Sequence, residues 1–326
     1  MPTDALSTAR NVVVLDETFR TPTWLSEMFT TNGPYWNQGR YLSAAGAASQ
    51  MPGGANSTVG VPWYRQDWAL GGQSLVAGAQ HILELPAFAD AARRVFDGAV
   101  VRPHTVYANV QVPATGTDFG HTDVPEFRGI TRDRYPVALL HIMNRSGLFR
   151  RWQLDICTAV SWLWAGPGGD FVLWTNGPDH APDRYTPPLT NRAVVSDNDR
   201  VFHAVGDFAR PDGPRSSDLT PTSEVVASRD GWLLRDGTRT IGTWPRHMIR
   251  LSVSWKAYVF VDAPALAVHD DHLDDLDEAR VLDTFAAEMA RRGTPIAATS
   301  TVDESFLYAV AAAWPKRIPT PGDSPA

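Results

Sequence analysis

The sequence predicts a mainly β domain, a barrel or double sheet, flanked by α-helices, and three observations carry that prediction. Between Thr105 and Val261 the chain holds six short runs rich in β-branched and aromatic residues, set apart by Gly, Pro, Asn and Asp. Runs with helical spacing lie on either side of that stretch. The 326 residues include 25 Gly, 25 Pro and 12 Trp, a loop-rich balance in a chain long enough for a sizeable core. No internal repeat interrupts the pattern, and one domain fits it better than two.

The elements follow in order. Asn11 to Asp16 is a short apolar run suited to a buried strand, and Thr23 to Phe29 reads as a short helix. Residues 30 to 70, rich in Gly, Asn, Ser and Pro, read as a long irregular segment of the kind that often covers a functional site. From Ser74 to Phe96 the apolar residues recur at helical spacing, and Pro86 divides them into two helices. The strand-like runs are Thr105–Val112, Thr158–Trp164, Asp170–Trp174, Ala193–Val195, Arg200–Val205 and Arg250–Val261. Ala165 to Gly169 reads as a hairpin loop between the second and third of these. A helix is expected from about Asp271 to Arg292, stopped by Gly293 and Pro295. A last helix follows, with Thr301 and Glu304 at capping-box spacing, and the tail from Pro315 reads as disordered.

Composition excludes several classes of function. Cys157 is the single cysteine, so disulfide frameworks, thiolate-rich zinc sites and iron–sulfur clusters are ruled out. A formal net charge of −7, without long basic runs, speaks against a protein that neutralises nucleic-acid phosphates. No apolar stretch is long enough to span a bilayer, and Met1 to Asp4 do not begin a signal peptide. The expectation is a soluble, cytoplasmic protein that acts on a small-molecule substrate, with no nucleic-acid or membrane partner. Any metal must be held by His and carboxylate.

His121 and Asp123 stand two apart in Gly120-His121-Thr122-Asp123, just after a strand-like run. In extended backbone, residues i and i+2 point to one side, so this imidazole and carboxylate can share a cation. His203, within the run Arg200–Val205, is the best candidate for a third ligand. Two imidazoles and one carboxylate on one face leave the opposite face of an iron open to oxygen and a co-substrate. The plainer alternative is a turn in which Asp123 bonds local backbone and His121 is merely exposed. In the last run, Arg250, Ser252 and Ser254 share one face and Leu251, Val253 and Trp255 the other. An Arg fork beside a hydroxyl suits two-point binding of a carboxylate.

His121-Thr122-Asp123, Gly168-Gly169-Asp170-Phe171, Asp199 to His203 and Arg250-Leu251-Ser252, in this order, resemble the Fe(II)- and 2-oxoglutarate-dependent oxygenases. The resemblance covers roughly residues 100 to 262. It implies a double-stranded β-helix core, the jelly-roll or cupin-like fold, with Fe(II), 2-oxoglutarate and O2 as cofactor and co-substrates. His121, Asp123 and His203 would be the catalytic metal ligands, and Arg250 with Ser252 would hold the distal carboxylate of 2-oxoglutarate. A carboxylate at Asp123 favours hydroxylation over chlorination, because related halogenases carry a small residue there. In many family members the carboxylate-binding Arg lies closer to the second His. Arg210 and Arg215 fall nearer that spacing, but Pro211, Gly213 and Pro214 mark a loop there, and Arg250 is favoured.

The implied organisation is an N-terminal helical and irregular region at 1–99, a catalytic core at 100–262 with an insertion at about 207–245 near the site mouth, C-terminal helices at 263–314, and a tail at 315–326. Asn109 and Tyr107 share one face of the strand leading to His121 and are candidates to contact 2-oxoglutarate or substrate; a polar pair facing the barrel interior is the alternative. Glu126 and Arg128 are candidates for a polar substrate or for a surface salt bridge. The run His269 to Asp275 looks metal-rich but also fits the start of an acidic helix. His141 reads as a half-buried residue. Trp152, Trp162, Trp164, Trp174 and Trp255 suit a dry pocket or ordinary packing. The favoured reading is hydroxylation of an amino acid or natural-product intermediate, with release of succinate. A cupin-like oxygenase or isomerase that does not use 2-oxoglutarate, and a metal-free carbohydrate-binding β-sandwich, are the alternatives. The terminal helices leave a monomer and a homodimer both open.

Overall fold

A computed structural model of the chain describes residues 11–38, 62–113, 120–207, 210, 213–316 and 319. Its strands are β1 (Val13–Leu15), β2 (Tyr35–Asn37), β3 (Trp63–Leu70), β4 (Gln73–Ser74), β5 (Val100–Gln111), β6 (Asp155–Leu163), β7 (Phe171–Trp174), β8 (Asp183–Tyr185), β9 (Ala193–Ser196), β10 (Phe202–Val205), β11 (Glu224–Ala227), β12 (Trp232–Asp236), β13 (Arg239–Trp244) and β14 (Arg250–Phe260). The helices are α1 (Thr23–Thr31), α2 (Ala79–Leu83), α3 (Pro86–Phe96), α4 (Val137–Ser146), α5 (Ala263–Asp270), α6 (Glu278–Arg291) and α7 (Glu304–Ala313).

Eleven strands form one antiparallel sheet in the order β1-β9-β6-β14-β5-β3-β2-β11-β12-β13, with β4 on β3, and a smaller sheet has the order β10-β7-β8. An isolated antiparallel bridge joins His121 to His203 and adds the chain around His121 to β10. From β5 onward the chain crosses repeatedly between the sheets. β5 lies in the large one, His121 beside the small one, β6 in the large, β7 and β8 in the small, β9 in the large, β10 in the small and β14 in the large. This alternation is a double-stranded β-helix, and with its flanking helices the protein has the expected mainly β fold.

The two faces of the large sheet differ because β14 alternates. Leu251, Val253, Trp255 and Ala257 lie in the main core with Val106, Ala108 and Val110 of β5. Helices α2 and α3 cover that face: the Phe88 ring packs tilted against Trp255 with ring centres 5.4 Å apart, and the Trp255 indole N–H donates to Leu83 O. Pro86 starts α3 where its missing N–H costs nothing, and Asp97 ends it in the left-handed region. The opposite face of the sheet turns to the small sheet. A second apolar cluster, built on Phe127, Phe149 and Phe285 with α4, α6 and α7, packs beyond it.

Several expectations need correction. Ala165 to Gly169 is no hairpin loop, since β6 and β7 belong to different sheets; its glycines carry a crossover. The irregular segment 30–70 holds β2 and β3 at its ends, and residues 39–61 lie outside the described residues, as does most of the tail from Pro315. The helix expected from about Asp271 to Arg292 is α6, which starts later, at Glu278, where Asp277 caps it by accepting from Arg280 N; a separate helix, α5, ends at Asp270 before it, and His272 between them turns at φ +53°. The last helix is capped by Asp303, which accepts from Phe306 N, and not by Thr301. β11, β12 and β13, from the segment between β10 and β14, extend the large sheet through β2, with Trp232 and Trp244 buried in the main core.

Candidate active site

A cavity of about 1270 Å³ lies between the two sheets. Its walls include Arg250, Ser252, Ser254 and Lys256 of β14, Tyr107, Asn109 and Gln111 of β5, and Thr158 and Trp162 of β6; His121, Asp123 and His203 face them. The inward side chains on each strand are two apart, as the pleat requires.

His121, Asp123 and His203 each offer a ligand atom, and these atoms lie within 4.8 Å of one another. The backbone makes this meeting. His121 and His203 exchange both N–H···O bonds at 2.9 Å, their rings are 4.4 Å apart, and Asp123 N–H donates to Asn198 O at 2.8 Å. His203 Nδ1 lies 3.1 Å from Val201 O. A proton on Nδ1 donates there and leaves Nε2 as the donor toward a metal. His203 Nε2 and Asp123 Oδ1 are 3.8 Å apart, and with metal–ligand bonds of about 2.0–2.2 Å two donors on one ion lie about 3–4 Å apart. Nitrogen and oxygen donors in this ratio suit a divalent iron, so the residues present fit the group. Among the described residues this is the group of His, Cys, Asp and Glu side chains that could hold a metal ion.

The other oxygen of Asp123 faces β14 and β6. Lys256 Nζ donates to Asp123 Oδ2 at 2.7 Å, and Thr158 Oγ1 lies 3.5 Å from it. Burial alone would raise the Asp123 carboxyl. The Lys256 ammonium, then the imidazoles of His203 and His121, outweigh that and hold it well below the usual carboxylate range. Burial would likewise depress Lys256, but Asp123 and Asp199 hold it above the ordinary ammonium value. Asp199 is fully buried, and among the described residues neither of its carboxyl oxygens has a hydrogen-bond partner. Burial, with Asp123, Asp197 and Glu126 nearby, pushes it well up against the pull of Lys256.

Arg250 is buried at the start of β14. Its Nε donates to Gly169 O at 3.0 Å and its Nη1 to Gln111 Oε1 at 3.3 Å, with the guanidinium 5.7 Å from the centre of the Trp162 ring. The Gly168-Gly169 turn thus abuts β14, and a Cβ on Gly169 would stand 3.1 Å from Arg250 Cδ. Ser252 lies two residues on, facing the same cavity. Arg210 and Arg215 are not among the residues lining it. Asn109 Nδ2 donates to Ser254 Oγ at 3.0 Å, and Arg65 lies 4.1 Å over the Tyr107 ring, so both β5 residues sit on the cavity wall.

Of the remaining candidates, Glu126 lines the cavity and accepts from Tyr258 Oη at 2.8 Å. Arg128 instead pairs with Asp274 at 2.6 Å. In the His269–Asp275 run, Asp270 pairs with Arg102 and Asp274 with Arg128, which accounts for two of its carboxylates. His141 is half-buried on α4 and lines the cavity. Burial first, then Arg145, Lys316 and His121, against Asp123, push its pKa down to about 4. Trp162 and Phe171 line the cavity near His203, whereas Trp255 and Trp164 serve packing. Lys256 is not among the residues singled out in the sequence, although continuing the alternation Arg250, Ser252, Ser254 by two residues points straight to it.

No protein-family model matches this chain, and no curated protein matches it by sequence. Solved structures similar to it include 2-oxoglutarate–Fe(II) oxygenases. One is an oxidoreductase of that family from Burkholderia pseudomallei, with a TM-score of 0.40 and 11% identity over 76% of this chain and 84% of that one. Another is a prolyl hydroxylase from Trichoplax adhaerens in complex with a peptide fragment, with a TM-score of 0.37 and 10% identity over 77% and 84%. A third is HygX from Streptomyces hygroscopicus with nickel and 2-oxoglutarate bound, with a TM-score of 0.36 and 9% identity over 77% and 83%. At such scores and identities the chemistry must be read from this chain's own residues. Among the described residues no helix is long and apolar enough to cross a membrane.

Proposed function

We propose that this chain is an Fe(II)- and 2-oxoglutarate-dependent oxygenase that hydroxylates an unactivated C–H bond of a small molecule, an amino acid or natural-product intermediate, with release of succinate and CO2. The observation that carries this reading is the convergence of His121, Asp123 and His203 in one cavity with the buried Arg250.

In this reading the three side chains hold Fe(II), which together with O2 and 2-oxoglutarate supplies the oxidising power for attack on a C–H bond. The chain's own work is positioning and shielding. Arg250, fixed by Gly169 O and the Gln111 side chain, takes the distal carboxylate of 2-oxoglutarate with Ser252. Trp162 and Phe171, 5.0 Å apart, keep that end of the cavity dry. Tyr107, Asn109 and Glu126 offer polar contacts along the wall, suited to orienting a polar substrate. The tryptophans that a carbohydrate-binding module would display for stacking are instead buried, Trp68, Trp162, Trp164, Trp232 and Trp255 among them.

The direct test is succinate release and O2 uptake by purified protein with Fe(II) and 2-oxoglutarate, across a panel of amino acids and small polar metabolites. Turnover is expected above the protein-free control and is expected to vanish in His121→Ala and His203→Ala. Absence of succinate from the wild type under every condition would sink the reading. Turnover without added 2-oxoglutarate would favour the cupin-like alternative.

A further inference from the structure

We propose that Lys256 is a positioning residue that holds Asp123 to one-oxygen coordination of the metal, an inference that rests on the metal reading above.

The two oxygens of Asp123 have different surroundings. Oδ1 lies 3.8 Å from His203 Nε2, on the side where the ligand atoms meet. Oδ2 accepts from Lys256 Nζ at 2.7 Å and lies 3.5 Å from Thr158 Oγ1. Those two donors are not independent accidents, because Lys256 and Thr158 are register partners across β14 and β6. The large sheet therefore presents a matched pair of donors to one oxygen and leaves the other to the small-sheet side. Asp123 N–H, bonded to Asn198 O, fixes the backbone beneath. A carboxylate so held cannot turn both oxygens to an ion without breaking a charge-assisted bond. One-oxygen ligation keeps a further coordination position for exogenous ligands, which is what an oxygenase needs from its facial set.

Lys256 reaches this place through the fold. It follows Arg250, Ser252 and Ser254 on the cavity face of β14, at a register shift against β5 between Lys256 and Ala257. Its side chain is 19% exposed, so its stem is packed and its head is not freely exchanging with bulk water. The ammonium also carries a charge that opposes binding of a dication. Positioning and repulsion thus make opposite predictions for its removal.

The test uses Co(II) in place of iron on the full chain, read by binding titration and by the visible ligand-field spectrum, which depends on coordination number. Lys256→Met is expected to weaken Co(II) binding about 10–100-fold, the usual loss when a group orienting a ligand is removed. Its spectrum should shift toward a higher coordination number as Asp123 turns both oxygens to the ion. Lys256→Arg, which keeps charge and donor, should restore most of the affinity and the wild-type spectrum, and Thr158→Val should give a smaller loss of affinity. Should Lys256→Met fail to fold by thermal denaturation, Lys256→Leu, which also lacks a donor, takes its place. Binding by the Met or Leu variant as tight as, or tighter than, wild type, with an unchanged spectrum, would overturn the proposal while leaving the metal site standing. Wild-type protein that binds no Co(II) in a His203-dependent way would overturn both.

Discussion

At the residue scale, the site depends on a few polar side chains held in place by neighbours whose roles are structural. Arg250 shows this best. A buried guanidinium bonded to a backbone carbonyl and an amide oxygen is already oriented before any carboxylate arrives, so little side-chain entropy remains to be lost on binding. A charge-assisted hydrogen bond contributes about 1.5–3 kcal/mol, which corresponds to roughly 10–150-fold in affinity. Arg250→Ala is therefore expected to raise the KM for 2-oxoglutarate by that order while leaving Co(II) affinity within about threefold, because Arg250 is not a metal ligand. A KM that stays at the wild-type value would reassign the carboxylate to another residue, with Arg210 and Arg215 next in line. The residue scale is also where the sequence was most legible. His121 and Asp123 at i, i+2 and Arg250 with Ser252 at i, i+2 are readable because strand geometry alone puts such pairs on one side. That His203 joins the first pair is a matter of sheet pairing, and sequence proximity has no part in it.

At the scale of elements, the crossover between β6 and β7 couples the fold to the site. Gly169 has φ +70°, and a Cβ there would press on Arg250 Cδ at 3.1 Å and Nε at 3.3 Å. Gly237, in the turn between β12 and β13, has φ +58° and nothing within 4 Å of a Cβ. Alanine at either position meets the same left-handed strain, about 1–2 kcal/mol. Gly169→Ala, which adds crowding against Arg250 to that strain, is expected to lower Tm more than Gly237→Ala, and the KM for 2-oxoglutarate rises severalfold in the first alone. Equal KM values in the two variants would detach the glycine turn from Arg250. Elements also mark where periodicity misleads. α4 opens on the apolar run Val137 to Leu140 and buries Ile142 and Met143 as well, so its polar residues His141, Asn144 and Arg145 form only a narrow stripe to announce a helix. β3 carries Arg65, Gln66 and Asp67 in its middle and reads as loop until the cavity beside it gives the face with Arg65 and Asp67 a purpose. The acidic run after β14 reads as the start of one helix. It is instead the C-terminal end of α5 and the turn before α6, whose N-cap is Asp277; Arg102 and Arg128 pair with Asp270 and Asp274 there, which a local pattern does not show.

On the scale of the whole molecule, the ligand set joins parts of the chain that belong to different halves of the architecture. His203 sits in the small sheet and His121 is bridged to it, while Asp123 is tied through Lys256 and Thr158 to the large sheet. An ion bound by all three should therefore stabilise the entire core. Occupied at a hundredfold excess over its dissociation constant, it is expected to add about 2.7 kcal/mol to folding stability. Thermal unfolding should show a Tm several degrees higher with Co(II) or Mn(II) than after chelation, and no difference in His203→Ala. A metal-insensitive wild type would show that these side chains do not hold a metal ion. The sequence by itself determined the class of fold, the single cysteine that leaves any metal to His and carboxylate, and the local pairs on single strands, because all of these follow from composition and the two-residue period of extended chain. Only the tertiary structure decided which histidine stands beside His121 and Asp123, that the Gly168-Gly169 turn braces Arg250, and that Lys256 grips Asp123. Those contacts join residues tens of positions apart, and their spacing is fixed by strand order and register across two sheets, quantities that no local pattern encodes.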